Sequence, residues 1–348
     1  MPGVTEMAGR SRCFNSTEAA KGSPLQDAPA LKSTGEYIMQ SLATAPPDDL
    51  PRRRFALLRN DRLQQAAFIL PTCLFLLFLT IYPFIYSVYL SLHQVKLTTL
   101  QRAVFNGFDN YLFLLNDGLF LRALLNTAVL GVCSITLEII IGFTAAKIFY
   151  ELSHRRWVGV LRSLYLMPMM VTPLIVGMIF AYLFNPTLGV VNYVIQLVGL
   201  TPVSWFGEPV TAMVSMVLIN VWQWSPFMML LCLAALPSIR TDLYEAARVD
   251  GARWHHILWL LEIPSILNVV LLGVILRVID VLRFFDVIYV TTRGGPGDAT
   301  MVVTLYAYQQ DFQYFQIGIG SAAAVLILII SIIITTFAVH LLRSVENA

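Results

Sequence analysis

Residues 237–290 set two unlike segments end to end: PSIRTDLYEAARVDGARWHHILWLLEI over 237–263, then PSILNVVLLGVILRVIDVLRFFDVIYV over 264–290. The second is long enough to cross a hydrocarbon core of about 30 Å, which takes about 20 helical residues. The first is partly polar and patterned like two short helices, so a structured loop runs straight into a bilayer span. Outward from this joint, five further apolar stretches of spanning length are expected at 66–92, 122–149, 160–184, 210–236 and 316–342. Pro83 lies inside the first, which membrane helices tolerate, and Pro168 with Pro173 predicts a kink in the third. The fold class is all-α, a membrane protein of six transmembrane helices.

Composition agrees with that reading. Hydrophobic residues make up 57% of the chain against 13% charged, and mean hydropathy is +0.71, which leaves too little polar surface to cover a soluble body. A formal charge of +2 excludes polyanion steering, and with it nucleic-acid binding as the main theme. Cys13, Cys73, Cys133 and Cys232 match neither a disulfide framework nor a metal-ligand spacing, and read as small core hydrophobes. Residues 1–60 lack apolar periodicity and are expected to form a disordered cytoplasmic tail, without the apolar core of a signal peptide; the transmembrane domain then occupies 61–348.

Basic residues orient the spans. Arg52, Arg53, Arg54, Arg59 and Arg62 precede the first, Lys147, Arg155, Arg156 and Arg162 flank the second connection, Arg240, Arg248 and Arg253 sit in the fourth, and Arg343 follows the last. The opposite side holds only Lys96, Arg102, Arg122 and Arg293, so both termini are expected in the cytoplasm.

In the loop, Asp242 and Glu245 have capping-box spacing, which predicts a helix starting at Leu243. Ala246 and Ala247 favour helix and leave a small surface open to close approach. Gly251 permits a sharp C-terminal turn, and a second amphipathic segment, Trp254 to Glu262, leads into Pro264 at the first turn of the next span. Periodicity alone fits equally a helix pair lying on lipid or a docking element for a soluble partner.

Further motifs extend the pattern. Phe105-Asn106-Gly107-Phe108-Asp109-Asn110-Tyr111 precedes the second span, Leu183-Phe184-Asn185-Pro186 follows the third, and Trp224-Ser225-Pro226-Phe227 lies in the fourth. Phe285-Asp286-Val287-Ile288-Tyr289 and Thr292-Arg293-Gly294-Gly295-Pro296-Gly297 close the fifth. With Glu245-Ala246-Ala247, Gly251 and Leu261-Glu262-Ile263-Pro264, they resemble the membrane permeases of bacterial ATP-binding-cassette importers, of the maltose and glycerol-phosphate type, over about residues 60–345. The loop is similar to that family's EAA loop, although Leu261 and Ile263 stand where its closing isoleucine and leucine are usual.

The resemblance implies the type I importer permease fold, carrying a sugar or related polyol or oligosaccharide across the bacterial cytoplasmic membrane. Partners implied are a second homologous permease, two ATPase subunits that bind the ATP, an extracytoplasmic solute-binding protein and membrane lipid. No cofactor is implied for this chain. Glu245, Ala246, Ala247, Asp250 and Gly251 would couple to the ATPase, Glu245 by meeting a basic group and Gly251 by setting the angle between the short helices. No G-x-x-x-x-G-K-[ST] loop, nucleophile elbow or zinc-protease helix occurs, in keeping with a transport subunit rather than an enzyme.

Charges inside the fifth span point to the solute path. At 1.5 Å per residue from Pro264, Arg277 lies about 20 Å in and Asp280 about 24 Å, near the middle of the bilayer. A charge there costs about 2.5–3.5 kcal/mol facing lipid, so these groups should face protein or a watery cavity. Spacings of three predict Arg277 beside Asp280 and Arg283 beside Asp286. By the resemblance, Gln223, Trp224, Phe227, Arg277, Asp280 and Arg283 line the substrate pathway, where aromatic faces stack on sugar rings and polar groups satisfy hydroxyls. Glu138 is expected as an inward carboxylate bonded to a neighbouring helix, and Asn126 and Gln223 equally suit interhelical bonds. The rival from another class is a secondary transporter in which the buried Arg and Asp relay protons along an ion gradient.

Overall fold

The structure, a computed structural model, describes residues 61–96 and 103–346; the tail expected over residues 1–60 lies outside them. The chain divides between Leu74 and Phe75, inside its first helix α1 (Asp61–Ser91). Only the start of α1 is described in the first unit. In the second unit every α1 side chain from Phe75 to Tyr86 is exposed, as an apolar helix facing lipid or another subunit requires. A two-residue hairpin follows, β1 (His93–Gln94) antiparallel to β2 (Val104–Phe105), with His93 opposite Phe105.

The remaining order is α2 (Asp109–Asn116), α3 (Gly118–Glu151), α4 (Val158–Met170), α5 (Pro173–Leu183), α6 (Val190–Leu197) and α7 (Pro209–Ala235). Then come α8 (Thr241–Val249), α9 (Trp254–Ile257), a π-helical turn over Leu258–Glu262, α10 (Ile263–Val281), α11 (Asp286–Thr291), α12 (Val303–Tyr308) and α13 (Ile317–Glu346). Buried Asn110 donates to the carbonyls of Ser91 at 2.8 Å and His93 at 3.0 Å, so one amide on α2 fastens the end of α1.

The core is built on α3 and α7, with α10 beside both. Gly142 sets their spacing: a Cβ there would lie 2.6 Å from the Met228 Cβ and 2.8 Å from the Met229 nitrogen. Small residues at such crossings let membrane helices gain van der Waals contact that lipid cannot offer. Leu130, Met216, Ile219, Met228, Ile288 and Tyr306 are all fully buried around this pair.

Among the described residues five helices are long and apolar enough to span, and α4 with α5, bent by 99°, makes the sixth expected span when counted as one. Several details of the sequence reading need correction. Thr172, just before Pro173, is extended (ψ 139°) as a following proline demands, and Val171 is extended too (ψ 134°), so the predicted kink is a full break. The fifth span remains one candidate, Trp254–Thr291, although its helix is interrupted between Val281 and Asp286. Helix α8 begins at Thr241, and Asp242 is not its cap: its carboxylate pairs with Arg240 and accepts from Leu243 N at 3.1 Å. The segment Trp254–Glu262 is not separate but runs through the π-helical turn into α10. Of the cysteines read as core, Cys232 is buried while Cys73 and Cys133 are exposed.

Candidate functional site

Two places gather polar residues. The first is the loop joining α7 to α10. Leu236 and Ile239 are buried against Ala146, Cys232, Ala235 and Ile266, which pins the start of the loop to the ends of α3, α7 and α10. Beyond that anchor α8 has no buried residue: Glu245, Ala246, Asp250 and Gly251 are exposed and Ala247 is half-buried. Leu243, Val249, Trp254, Trp259 and Leu260 add large exposed apolar groups to the same loop. Gly251 has φ +70°, which favours glycine, and its N–H donates to Arg248 O at 3.1 Å while Ala252 N donates to Ala247 O at 2.9 Å. These bonds close the helix end and turn the chain sharply towards Trp254.

Beneath α8 lie residues that sequence reasoning does not assign to the site. Lys147 Nζ donates to Glu262 Oε2 at 2.8 Å, with side-chain exposures of 24% and 7%. The Tyr244 hydroxyl donates to Glu262 Oε1 at 3.4 Å. Burial first, and then the Glu262 carboxylate, push the Tyr244 phenol upward, which keeps it a neutral donor. In the sequence Lys147 serves only to orient the chain, and Glu262 is only part of a motif's close. Helical spacing cannot join them, because 115 residues separate the pair.

The second place is mid-membrane. Arg277 is 1% exposed, and its guanidinium bonds Glu138 in two places, Nε to Oε2 at 2.7 Å and Nη2 to Oε1 at 2.8 Å. Nη2 also reaches Asn220 Oδ1 at 3.3 Å, Nη1 pairs with Asp280, and the guanidinium carbon lies 4.6 Å from the centre of the Trp224 ring. One buried cation thus ties α3, α7 and α10 together. A bidentate fork suits arginine, and an unpaired charge here would be costly. Phe227 meets Trp224 edge-on with ring centres 6.5 Å apart.

The pathway set therefore divides. Trp224 and the half-exposed Asp280 carboxylate sit against Arg277, with Phe227 behind Trp224, and four of the five Arg277 N–H donors are spent on protein. Gln223 is 1% exposed and donates to Val171 O at 2.9 Å, satisfying a carbonyl freed by the break between α4 and α5. Arg283 lies within the break and Asp286 opens α11, and they form no ion pair among the described residues. Asn126 bonds the carbonyls of Asp298 at 2.8 Å and Met301 at 3.0 Å, which ties α3 to the loop before α12 rather than to another helix. Asn220 is a site residue that the sequence patterns do not single out; an amide one helical turn before Gln223 in an apolar span is the available signal. Its Nδ2 and Gln223 Oε1 are buried without a partner. An apolar groove of about 620 Å³ between α3, α10 and α13 is no rival site, since Thr127 and Thr136 on its wall already donate to backbone carbonyls. Among the described residues no cluster of His, Cys, Asp and Glu could hold a metal ion.

Comparison with known proteins supplies the family. Residues 138–347 match the model of the binding-protein-dependent transport system inner membrane component. The trehalose/maltose transport system permease protein MalF of Thermococcus litoralis is 37% identical over 261 residues, 74% of this chain and 86% of that protein. The sulfoquinovosyl glycerol transport system permease protein SmoG of Agrobacterium fabrum is 31% identical, covering 85% of this chain and 95% of its own length. A chain in the crystal structure of a bacterial alginate ABC transporter, in complex with an alginate pentasaccharide-bound periplasmic protein, superposes with a TM-score of 0.70 at 24% identity, over 84% of this chain and 97% of that one. The matched region starts at Glu138, the partner of Arg277, and takes in all of the α7–α10 loop. By that match the chain belongs to the inner-membrane components of binding-protein-dependent transport systems, the permease subunits of ATP-binding-cassette importers.

Proposed function

We propose that this permease carries a sugar, or a related polyol or oligosaccharide, by alternating access driven by a separate ATPase that grips α8. The observation that carries the reading is a helix with no buried residue, Thr241–Val249, set in the loop that joins two spans. A soluble partner that closes on nucleotide can turn such a lever and rotate the spans attached to it. Glu245, Ala246, Ala247, Asp250 and Gly251 form the gripped surface. A second homologous permease, two ATPase subunits and an external solute-binding protein complete the importer, with both termini of this chain cytoplasmic. Trehalose, maltose and sulfoquinovosyl glycerol name the cargo of the relatives, which supports a carbohydrate here. Trp224 and Phe227 offer faces for a sugar ring, Asp280 and Arg283 offer acceptors and donors for hydroxyls, and Arg277 with Gln223 holds that wall in place.

The ion-gradient reading loses its proton relay, because Glu138 and Arg277 close on each other through two bonds. Uptake of labelled trehalose into energised vesicles tests the proposal. Depleting ATP while keeping the ion gradient abolishes uptake on this reading, and persisting uptake would overturn it.

A further inference from the structure

Helix α8 has no buried residue, so something must hold it at a fixed angle to the spans if a push on it is to move them. Apolar packing supplies little of that grip. Tyr244 and Leu261 are only half-buried against the cluster around Cys232 and Ile266. Between α8 and the end of α3 lies a hollow of about 570 Å³, bounded by Lys147, Glu151, Tyr244, Arg248, Trp254 and Glu262. A gap of that size forfeits dispersion contact across it. What crosses it is directional: Lys147 on α3 reaches Glu262 at 2.8 Å, and Tyr244 on α8 reaches the other oxygen of the same carboxylate at 3.4 Å. Glu262 is the last residue before α10, so a single carboxylate lies at the meeting point of α3, α8 and α10.

We propose that Glu262 is a positioning residue which, through Lys147 and Tyr244, clamps α8 to the cytoplasmic end of α3, so that displacement of α8 passes to α3 and α10 together. A buried ion pair is weak as a source of stability, since apolar residues of the same volume do as well. Directional bonds instead fix distance and register between elements that barely pack. The clamp therefore matters for transmission rather than for folding. The importer as a whole rests on the reading above; the clamp itself rests on these bonds.

The test uses the full complex, in a background whose native cysteines are replaced by serine, with spin labels at Ser153→Cys beyond α3 and Thr241→Cys at the start of α8. The unaltered clamp gives one narrow distance that ATP does not change, and Lys147→Arg keeps it. Glu262→Gln broadens the distance or makes it shift with ATP. The double variant Lys147→Gln/Glu262→Gln does the same while leaving no unpaired buried charge, so it assembles even if the single variant does not. In proteoliposomes the single Glu262→Gln variant and the double variant both raise the ATP hydrolysed per trehalose imported above that of the unaltered complex. Distances in the double variant as narrow and ATP-insensitive as in the unaltered complex would overturn the clamp. Absence of ATP-dependent trehalose uptake by the unaltered complex would count against the proposed cargo alone, and the distances would still decide the clamp.

Discussion

Arg277 shows what the fold asks of single residues. Its guanidinium is fully buried and answered by Glu138, Asn220, Asp280 and the Trp224 ring, so removing Glu138 takes away its one buried, bidentate carboxylate and leaves only the half-exposed Asp280 to balance it. Glu138→Ala is expected to cost about 3–5 kcal/mol, read as a lower unfolding midpoint of the purified protein, while Glu138→Gln/Arg277→Met recovers most of the loss. Full stability in Glu138→Ala would contradict that burial. Asp311, in the turn before α13, gives a pH dependence. Burial pushes its carboxyl up to about 6, and its Oδ1 has no bonding partner. The fold thus favours the neutral acid: stability is greatest below the ordinary Asp pKa near 4, falls as pH rises to about 6, and then levels off. Asp311→Asn should flatten the unfolding midpoint between pH 4 and 6. That Glu138 and Arg277 lie within long apolar helices was legible from the sequence. That they answer each other was not, because 139 residues separate them and helical spacing speaks only for neighbours such as Arg277 and Asp280.

Elements fail or hold at their crossings. Gly142 sits where α3 meets Met228 and Met229, and a Cβ added there would lie 2.8 Å from the Met229 backbone nitrogen, which cannot swing aside. Gly142→Val is therefore expected to push α3 off α7 by overpacking, costing about 1–3 kcal/mol and lowering the yield of monodisperse protein on gel filtration. Gly251→Pro acts differently. Proline locks φ near −65° where the chain needs +70°, and it removes the N–H that bonds Arg248 O. The expected outcome is normal insertion with lost uptake, measured as membrane level against transport in the same cells. The third span marks the limit of reading elements from sequence: Pro168 and Pro173 flagged a kink. The 99° break also depends on extended Val171 and on Gln223, an amide from another helix that satisfies the freed carbonyl. Within the fifth span, Trp254–Thr291, the helix is interrupted between Val281 and Asp286, where Arg283 stands in the apolar run, and hydropathy alone does not mark such an interruption.

At the scale of the whole molecule, spans with long exposed apolar faces carry one exposed helix on a buried footing. The membrane class, most span positions and the loop between α7 and α10 were legible because each is a local pattern of apolarity or spacing. The clamp of Lys147, Tyr244 and Glu262 and the ring of contacts around Arg277 were not, because they exist only once distant spans pack. The central claim is that α8 is turned by a nucleotide-burning partner rather than resting on lipid. Ala246→Cys, exposed on that helix, offers the most direct measurement: a cysteine-reactive crosslinker applied to native membranes. The account predicts a product joining this chain to an ATPase subunit, with a yield that changes when ATP is added. A label at Ala246→Cys that reports a lipid environment and never captures such a subunit would contradict it.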